Sequence, residues 1–364
     1  MNICMLSELF YPYLLGGAER RYFEIAKRLA KKHDVTVYSL NLQGNKKEQE
    51  IENVKIKRLG LKHPMTHRSL PQLVTYVPAL LKALDSEYDV IDSNQGIASF
   101  TGISKKIIRR PMVATFHDIY WNQWKDYFSP YTSFFGKTME VAWSRIHYDT
   151  IIANSLQTRN KLERLGFATK IEVILSGIDL DMINSVKTKK ENKIVFVGRL
   201  VKYKNADILI RTFSEIKKDV KDLKLTIVGE GPEKRNLQNL AKKLGVKVEF
   251  KGFLPEKEKI REIKSSKILV NPSTIEGLGL IMLESMACGT VPIGLDLDCY
   301  KEFCNKKNSV VVKSMNSIQN EMINILNYSK KTKKMARQGI KTSKKFSWDV
   351  TATKVEDLYL RLLA

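Results

Sequence analysis

One pattern constrains this 364-residue chain more than any other: short apolar runs alternate with amphipathic stretches along its whole length. NICMLSELF (2–10) reads as a strand. A loop containing Gly16-Gly17 follows, then a helix from Ala18 to Ala30 that buries Tyr22, Phe23, Ala26 and Leu29. VTVYSL (35–40), VKIKRL (54–59), DVIDSN (89–94), MVATFH (112–117) and TIIANS (150–155) read as further strands, with helical stretches between several of them. The alternation restarts at KIVFVGRL (193–200), with a helix over Ala206–Ile216. KLTIVGEG (224–231), a helix near Glu233–Leu244, VEFKGF (248–253) and SKILVNPS (266–273) continue it. Such alternation gives a parallel sheet covered by helices on both faces. The polar segment INSVKTKKENK (183–193) separates the two series. The expected class is therefore α/β, two doubly wound domains, a length the chain can accommodate.

Net charge narrows the partners. The chain carries 62 Lys and Arg against 39 Asp and Glu, a formal +23. The excess is heavier after Leu180, with 37 basic against 21 acidic residues, than before it, with 25 against 18. A basic surplus suits anionic partners: nucleic acid, acidic lipid or phosphorylated small molecules. No helix-turn-helix, zinc-finger or RNP signature accompanies it, so nucleic acid is not expected. Cys4, Cys288, Cys299 and Cys304 form no C-x-x-C pair, which reads as reduced thiols in a cytosolic protein. MNICMLSELF lacks the basic start of a signal peptide, and no apolar run approaches the ~20 residues of a membrane span.

In open α/β sheets, ligands bind beyond the carboxyl ends of strands, and the polar and glycine-rich signatures fall there. STIEGLGLIMLESMACG (273–289) places Glu276 in a loop and Glu284 in a helix that begins near Gly279 or Leu280. Glu284 shares a helix face with Leu280, Leu283 and Ala287, so its carboxylate needs a hydrogen-bonding partner. Gly16 and Gly17 open a helix, where backbone N–H groups favour an anion. Arg199 and Lys204 follow a strand and can clamp a diphosphate. Gly252-Phe253 closes another strand. His117 ends the strand MVATFH. Metal dependence is not expected. His63 and His67 have H-x-x-x-H spacing without the H-E-x-x-H glutamate, and the pairs Asp179/Asp181 and Asp296/Asp298 read as acidic turns.

Taken in order, VFVGRLVKYKN, LTIVGEGPE, VEFKGF and NPSTIEGLGLIMLESMACG resemble the retaining GT-B glycosyltransferases of glycosyltransferase family four, the glycosyl transferases group 1 domain. GGAER, TFHD, IIANS and VILSGID fit its first domain, and KFSWDVTATKVEDLYLRLL its closing helix. The resemblance spans nearly the whole chain. It implies two Rossmann-like domains facing across a cleft: an acceptor-side domain (1–182), a nucleotide-sugar donor domain (183–345) and a helix (346–364) returning to the first. It implies transfer of a hexose from a nucleotide-diphosphate sugar to a hydroxyl acceptor with retention, without a metal cofactor. By the same matching, Glu284 bonds the donor's ribose and Glu276 lies near the donor sugar. Arg199 and Lys204 neutralise the diphosphate, and Gly16-Gly17 closes on it. Backbone N–H groups near Gly279 and Leu280 face the sugar or phosphate, Gly252-Phe253 meets the base, and His117 reaches the donor sugar. Glu276, His117, Arg199 and Lys204 are the expected catalytic group.

Three departures stand out: Asn205 where glycine is common, Ser285 for a frequent alanine, and GLDLDCYKEF (294–303) without its usual glycine pair. The alternatives are a non-catalytic nucleotide-sugar-binding or regulatory GT-B protein, and a GT-B epimerase. A cytoplasmic location, peripheral at the inner face of the membrane with a lipid-linked acceptor, is expected from local composition. ISKKIIRR (103–110) reads as a basic amphipathic turn, and aromatics crowd YWNQWKDYFSPYTSFFGKTMEVAW (120–143).

Overall fold

The computed structural model describes the chain apart from residues 13–15, 43, 64–74, 79, 82, 83, 85, 86, 107, 121, 122, 128, 221 and 327–329. The chain divides into two compact units: Met1–Gly177 with Trp348–Ala364, and Ile178–Ser347.

In the first unit, β1 (Asn2–Leu6), β2 (Asp34–Leu42), β3 (Glu48–Ile51), β4 (Val54–His63), β5 (Val90–Asn94), β6 (Met112–Phe116), β7 (Thr150–Ala153) and β8 (Ile171–Val173) form one sheet. Its order is β3-β4-β2-β1-β5-β6-β7-β8. All neighbours run parallel except β3 and β4. β1, β6 and β7 are mostly apolar, and they and the more polar β5 (VIDSN) are buried along nearly their whole length, as strands covered on both faces must be. The hairpin strand β3 is EQEI, too polar to register as a strand in the apolar pattern. Its turn, Glu52-Asn53, has φ of 51° and 62°, the left-handed pair that a two-residue hairpin requires.

The helix after β1 runs Gly17–Leu29, one residue earlier at each end than the periodicity suggests. Its Tyr22, Ile25, Ala26 and Leu29 share a core with Val355, Leu358 and Tyr359 of the last helix, Trp348–Leu363. Arg28 Nε to Asp349 (2.6 Å) and His33 Nε2 to Glu356 (2.8 Å) pin that contact at its rim.

In the second unit, β9 (Lys193–Val197), β10 (Lys224–Val228), β11 (Val248–Gly252), β12 (Ile268–Asn271), β13 (Val291–Leu295) and β14 (Val310–Val312) form an all-parallel sheet. Its order is β11-β10-β9-β12-β13-β14. Ile194 and Phe196 of β9 face one core with Leu209 and Phe213, while Val195, on the opposite face, is equally buried.

The boundary lies at 177/178 rather than after 182. Asp179 Oδ1 caps the helix Leu180–Ser185 by accepting from Met182 N (2.9 Å), and Lys264 Nζ donates to Ile183 O (2.7 Å). Ile178 also pairs with Ser347, so this segment belongs to the second unit. The returning helix begins at Trp348, later than the expected 346.

Candidate active site

The sheet order of the second unit reverses between β9 and β12, which opens a crevice at their carboxyl ends. Two loops fill its walls. After β9 the chain passes through Gly198, Arg199 and Leu200 into a 3-10 turn, Lys202–Lys204. Asn205 follows with φ 49° and ψ 37°. That left-handed conformation accounts for the glycine usual at this place, and Asn is among the few side chains that tolerate it. Its Nδ2 donates to Pro272 O (3.0 Å), and Thr274 N donates to Tyr203 O (3.0 Å), so the loops after β9 and β12 are stitched together.

That stitching brings Lys204 to Glu276. Lys204 Nζ lies 2.6 Å from Glu276 Oε1, with the two side chains only 15% and 12% exposed. Asn271, the last residue of β12, donates from Nδ2 to the same oxygen (2.8 Å) and lies 2.9 Å from the buried Tyr300 hydroxyl. Ser273 Oγ donates to Asn271 Oδ1 (2.6 Å) and so fixes the amide. Lys204 is therefore not a surface cation but half of a largely enclosed ion pair. Burial pushes the Tyr300 hydroxyl well above its ordinary value, with Glu276 adding to the rise, so it stays protonated.

Tyr300 was not foreseen. It comes from the loop 294–303, whose missing glycine pair left it without an expected role, and it sits where Gly279 must be glycine. A Cβ on Gly279 would lie 2.3 Å from the Tyr300 ring, and Gly279 has φ 73°. The helix Leu280–Ala287 starts there. It is buried almost all round rather than along one face: Met282 to Ala287 are all buried, and Leu280 is only partly so. The departure at Ser285 also has a use, since its hydroxyl donates to Thr290 O (2.9 Å).

Glu284 is 4% exposed and has a partner within the protein. Lys259 Nζ, on the helix Glu256–Ser265, lies 3.0 Å from Oε1 and 2.8 Å from Oε2, and 3.0 Å from Glu256. The partner that burial demands of Glu284 is thus supplied within the protein by Lys259, which neutralises it.

The other expected residues of this unit are placed differently. Arg199 is exposed and makes no ion pair among the described residues. Gly252 has φ +66°, accepts from Gly229 N at 2.7 Å, and leads to Phe253, which is 77% exposed. A Cβ on Gly229 would lie 1.9 Å from Gly198 O, so the glycines of the VGR and VGEG motifs let two strand exits run against each other.

In the first unit the order reverses between β1 and β5. Gly16 caps the helix Gly17–Leu29 in an extended conformation, φ −162°, that any residue adopts, and it is exposed. His117, just past β6, lies with Nε2 2.8 Å from Asn94 Oδ1 at the end of β5. Burial, with the Arg21 guanidinium adding to it, holds His117 down at about 3, so the ring is neutral at physiological pH. Arg21 is fully buried, and Asp92 nearby accepts from Tyr22 (2.7 Å), Thr115 (3.2 Å) and Tyr359. None of this buried network was visible in the pattern.

Asp179 is a helix cap and Asp298 pairs with Lys301 (2.6 Å), as acidic turn residues do. His67 lies outside the described residues. Among those described, no three or more potential ligands cluster as a metal site would need. No helix among them is long and apolar enough to cross a membrane.

Two family models match in tandem: Glycosyltransferase Family 4 over residues 15–182 and Glycosyl transferases group 1 over residues 178–342. The chain is 26% identical, over 78% of its length and 77% of the relative's, to a GDP-mannose-dependent α-(1-6)-phosphatidylinositol monomannoside mannosyltransferase of Mycolicibacterium smegmatis. It is likewise 26% identical to a Campylobacter jejuni α-1,4-N-acetyl-D-galactosaminyltransferase acting on a diphospho-undecaprenol-linked glycan, over 74% of this chain and 73% of that one. Among solved structures, the sucrose-phosphate synthase of Thermosynechococcus elongatus superposes with a TM-score of 0.84 at 18% identity, covering 99% of this chain and 98% of that one. Anabaena HepE in complex with UDP and glucose gives 0.78 at 20% identity, covering 99% and 100%. The chain belongs to the glycosyl transferases group 1 and glycosyltransferase family 4 enzymes, and is a glycosyltransferase of the GT-B fold.

Proposed function

We propose that this glycosyltransferase moves a hexose from a nucleotide-diphosphate sugar to a hydroxyl acceptor with retention of configuration. Its setting would be glycolipid, lipid-linked glycan or surface-polysaccharide synthesis. The observation that carries the donor half is the Lys204–Glu276–Asn271 cluster at the β9/β12 reversal, tied through Tyr300 to the start of the helix Leu280–Ala287. Negative charge grows on a nucleoside diphosphate as the glycosidic bond breaks, and preorganised positive groups stabilise it without reorganising. Lys204 is held in place by Glu276, while the exposed Arg199 is free to swing onto phosphate oxygens. The backbone N–H groups at Gly279 and Leu280 add donors. Glu276, beside the donor sugar, orients it. Glu284 takes the ribose hydroxyls, and Phe253 offers a ring face to the base. The GDP-mannose dependence of one relative and the UDP in a structural neighbour support a nucleotide donor. Attack on the sugar face that the diphosphate leaves, with the phosphate taking the acceptor's proton, accounts for retention.

No metal is assigned a role. Transfer should therefore survive EDTA, and the product's anomeric configuration, read by NMR, should match that of the donor. Complete loss of activity that added metal restores, or an inverted product, would contradict this reading.

The acceptor is proposed to lie at a membrane surface, and the exposed aromatic residues of the first unit support that reading better than the basic turn does. Lys105 is tied to Asp149 (2.6 Å) and Arg110 O (2.8 Å), and Arg110 to Tyr88 O (2.6 Å), so two cations of ISKKIIRR serve the fold. That segment is 3-10 as far as Lys106, and Ile107 lies outside the described residues. In the aromatic stretch, Trp143 is buried, and Trp121 and Phe128 lie outside the described residues. The helix Pro130–Ser144, however, exposes Tyr131 (75%), Phe134 (69%) and Phe135 (53%) together, with Lys137 on the same helix. Rings beside cations suit the headgroup boundary of an anionic leaflet. Phe134→Ser with Phe135→Ser should abolish co-sedimentation with anionic vesicles while leaving the melting temperature unchanged. Equal recovery of wild type in the supernatant at every lipid composition and salt would favour a soluble acceptor.

A further inference from the structure

The second unit carries a cavity of about 520 Å³ whose lining includes neither Lys204 nor Glu276. Two helices flank it, Ala206–Ile216 after β9 and Lys234–Lys243 after β10. The strand exits leading into them are tied together. Leu200 N donates to Glu230 O (2.9 Å), Glu233 N donates to Leu200 O (3.0 Å), and a Cβ on Gly231 would lie 2.4 Å from Leu200 O. The hollow is therefore preformed, and its volume lies in the range of small-molecule sites.

Helical spacing sorts its lining into an apolar floor and a charged rim. Ala206 and Leu237 belong to the core of the unit, and Leu240 packs against that core. Asp207 and Arg211 stand one turn apart on the first helix, as do Asn236, Leu240 and Lys243 on the second. An Asp and an Arg at this spacing ordinarily attract each other along a helix. Yet Asp207, Arg211, Lys202 and Lys243 are exposed and make no ion pair among the described residues. Glu233 accepts from Asn236 Nδ2 at 3.1 Å. Three cations and two carboxylates thus surround one hollow.

We propose that this cavity binds a phosphorylated sugar and that its occupancy is felt by the loop carrying Lys204. A phosphate monoester carries roughly −1.5 to −2 at neutral pH, and the Arg211 fork with the Lys202 and Lys243 ammoniums suits its oxygens. Asp207, Glu233 and the amides of Asn236 and Asn239 suit hydroxyls, which both donate and accept. The floor receives the C–H face of the ring. A neutral sugar leaves the cations unused, and a bare phosphate sets an anion against two carboxylates with nothing for them to accept. None of the described lining residues is aromatic, so a nucleotide base finds no ring to stack on. The link to transfer is the short loop itself. Val201, Lys202 and Asn205 line the cavity, while Lys204 between them reaches Glu276 at 2.6 Å. Asn205 Nδ2 also holds Pro272 O at 3.0 Å, so a ligand drawn onto Lys202 acts on a segment fastened to the donor site. The binding is independent of the preceding reading, and only its effect on transfer rests on it.

The test is calorimetric titration of the full-length protein, without nucleotide sugar, with glucose 1-phosphate, glucose 6-phosphate and mannose 6-phosphate, against glucose and inorganic phosphate. One hexose phosphate should bind at least about tenfold more tightly than glucose or phosphate alone, since each of those fills half of the site. Arg211→Ala with Lys243→Ala should weaken that binding about tenfold or more, leaving the melting temperature and the unliganded transfer rate unchanged. Leu240→Trp should block it as well, by filling the hollow without removing a charge. The bound hexose phosphate should change kcat or the donor KM of wild type by about fivefold or more, and leave the double variant unaffected. Absence of binding by all three hexose phosphates overturns the site, and so does equal binding of inorganic phosphate, which would make it an anion patch only. Binding lost in Lys204→Ala but kept in the double variant would put the ligand in the donor site and overturn it too. Binding that leaves transfer unchanged overturns the coupling. The titration holds no nucleotide sugar, so the site is decided whether or not the donor reading stands.

Discussion

Lys204→Ala lowers turnover by about 10²–10³-fold, the range seen when one preorganised donor to a developing anion is removed. The variant also loses stability, because Lys204 is enclosed: its ammonium is 2.6 Å from Glu276 in a setting where both side chains are mostly covered. A hydrogen bond to a charged group is worth about 1.5–3 kcal/mol, and Asn271 still holds the carboxylate afterwards, so the loss falls toward the low end. Arg199→Ala is the cleaner probe. Arg199 is exposed and makes no ion pair among the described residues, so its removal should slow transfer with the melting temperature unchanged. Steady-state rates and melting curves of the two variants separate these effects. The double variant Lys204→Ala with Glu276→Gln should lose much less than the product of the single losses, since the two side chains act as one unit. Near-normal turnover in both single variants would return the two cations to a structural or solvated role.

Glu284→Gln produces the second large effect, and it has two parts. Lys259 loses its buried carboxylate partner but keeps Glu256 at 3.0 Å, so the stability cost is about 3 kcal/mol or less, below the full penalty for breaking a buried pair. Donor affinity falls as well, because the ribose hydroxyls meet an amide in place of a carboxylate. Adding Lys259→Met to Glu284→Gln removes the stranded charge. Stability should then recover while donor affinity does not. Recovery of both would make Glu284 a structural residue, and recovery of neither would leave the loss to packing.

The sequence made the strand exits legible because parallel strands buried on both faces are written as continuous apolar runs that end in glycine and polar residues. KIVFVGRL, KLTIVGEG and SKILVNPS announce β9, β10 and β12 in that way, and the helix start at Leu280 follows from Gly279. Contacts between elements distant in the chain were not legible. Lys259 reaches Glu284 only because the helix Glu256–Ser265 packs beside Leu280–Ala287, and no local spacing encodes that. Tyr300 reaches Asn271 and Gly279 from a loop whose motif looked defective. The contact of His117 with Asn94 depends on β5 and β6 being neighbours, an order that periodicity does not specify. Charged β3 and the three-residue β8 and β14 carry too little apolar pattern to be seen. The basic turn at 103–110 reads from composition as amphipathic and membrane-facing, whereas Lys105 and Arg110 bond within the fold, which composition does not encode.

Whether the second unit binds a nucleotide-diphosphate sugar at the β9/β12 reversal is decided by a thermal-shift panel of UDP, GDP and ADP sugars. A ligand that binds only the native state at one hundred times its Kd adds about 2.7 kcal/mol of stability. Sugars of one base should raise the melting temperature of wild type, and the rise should be much smaller in Lys259→Met with Glu284→Gln. A flat panel, or an equal rise in wild type and that double variant, would contradict it.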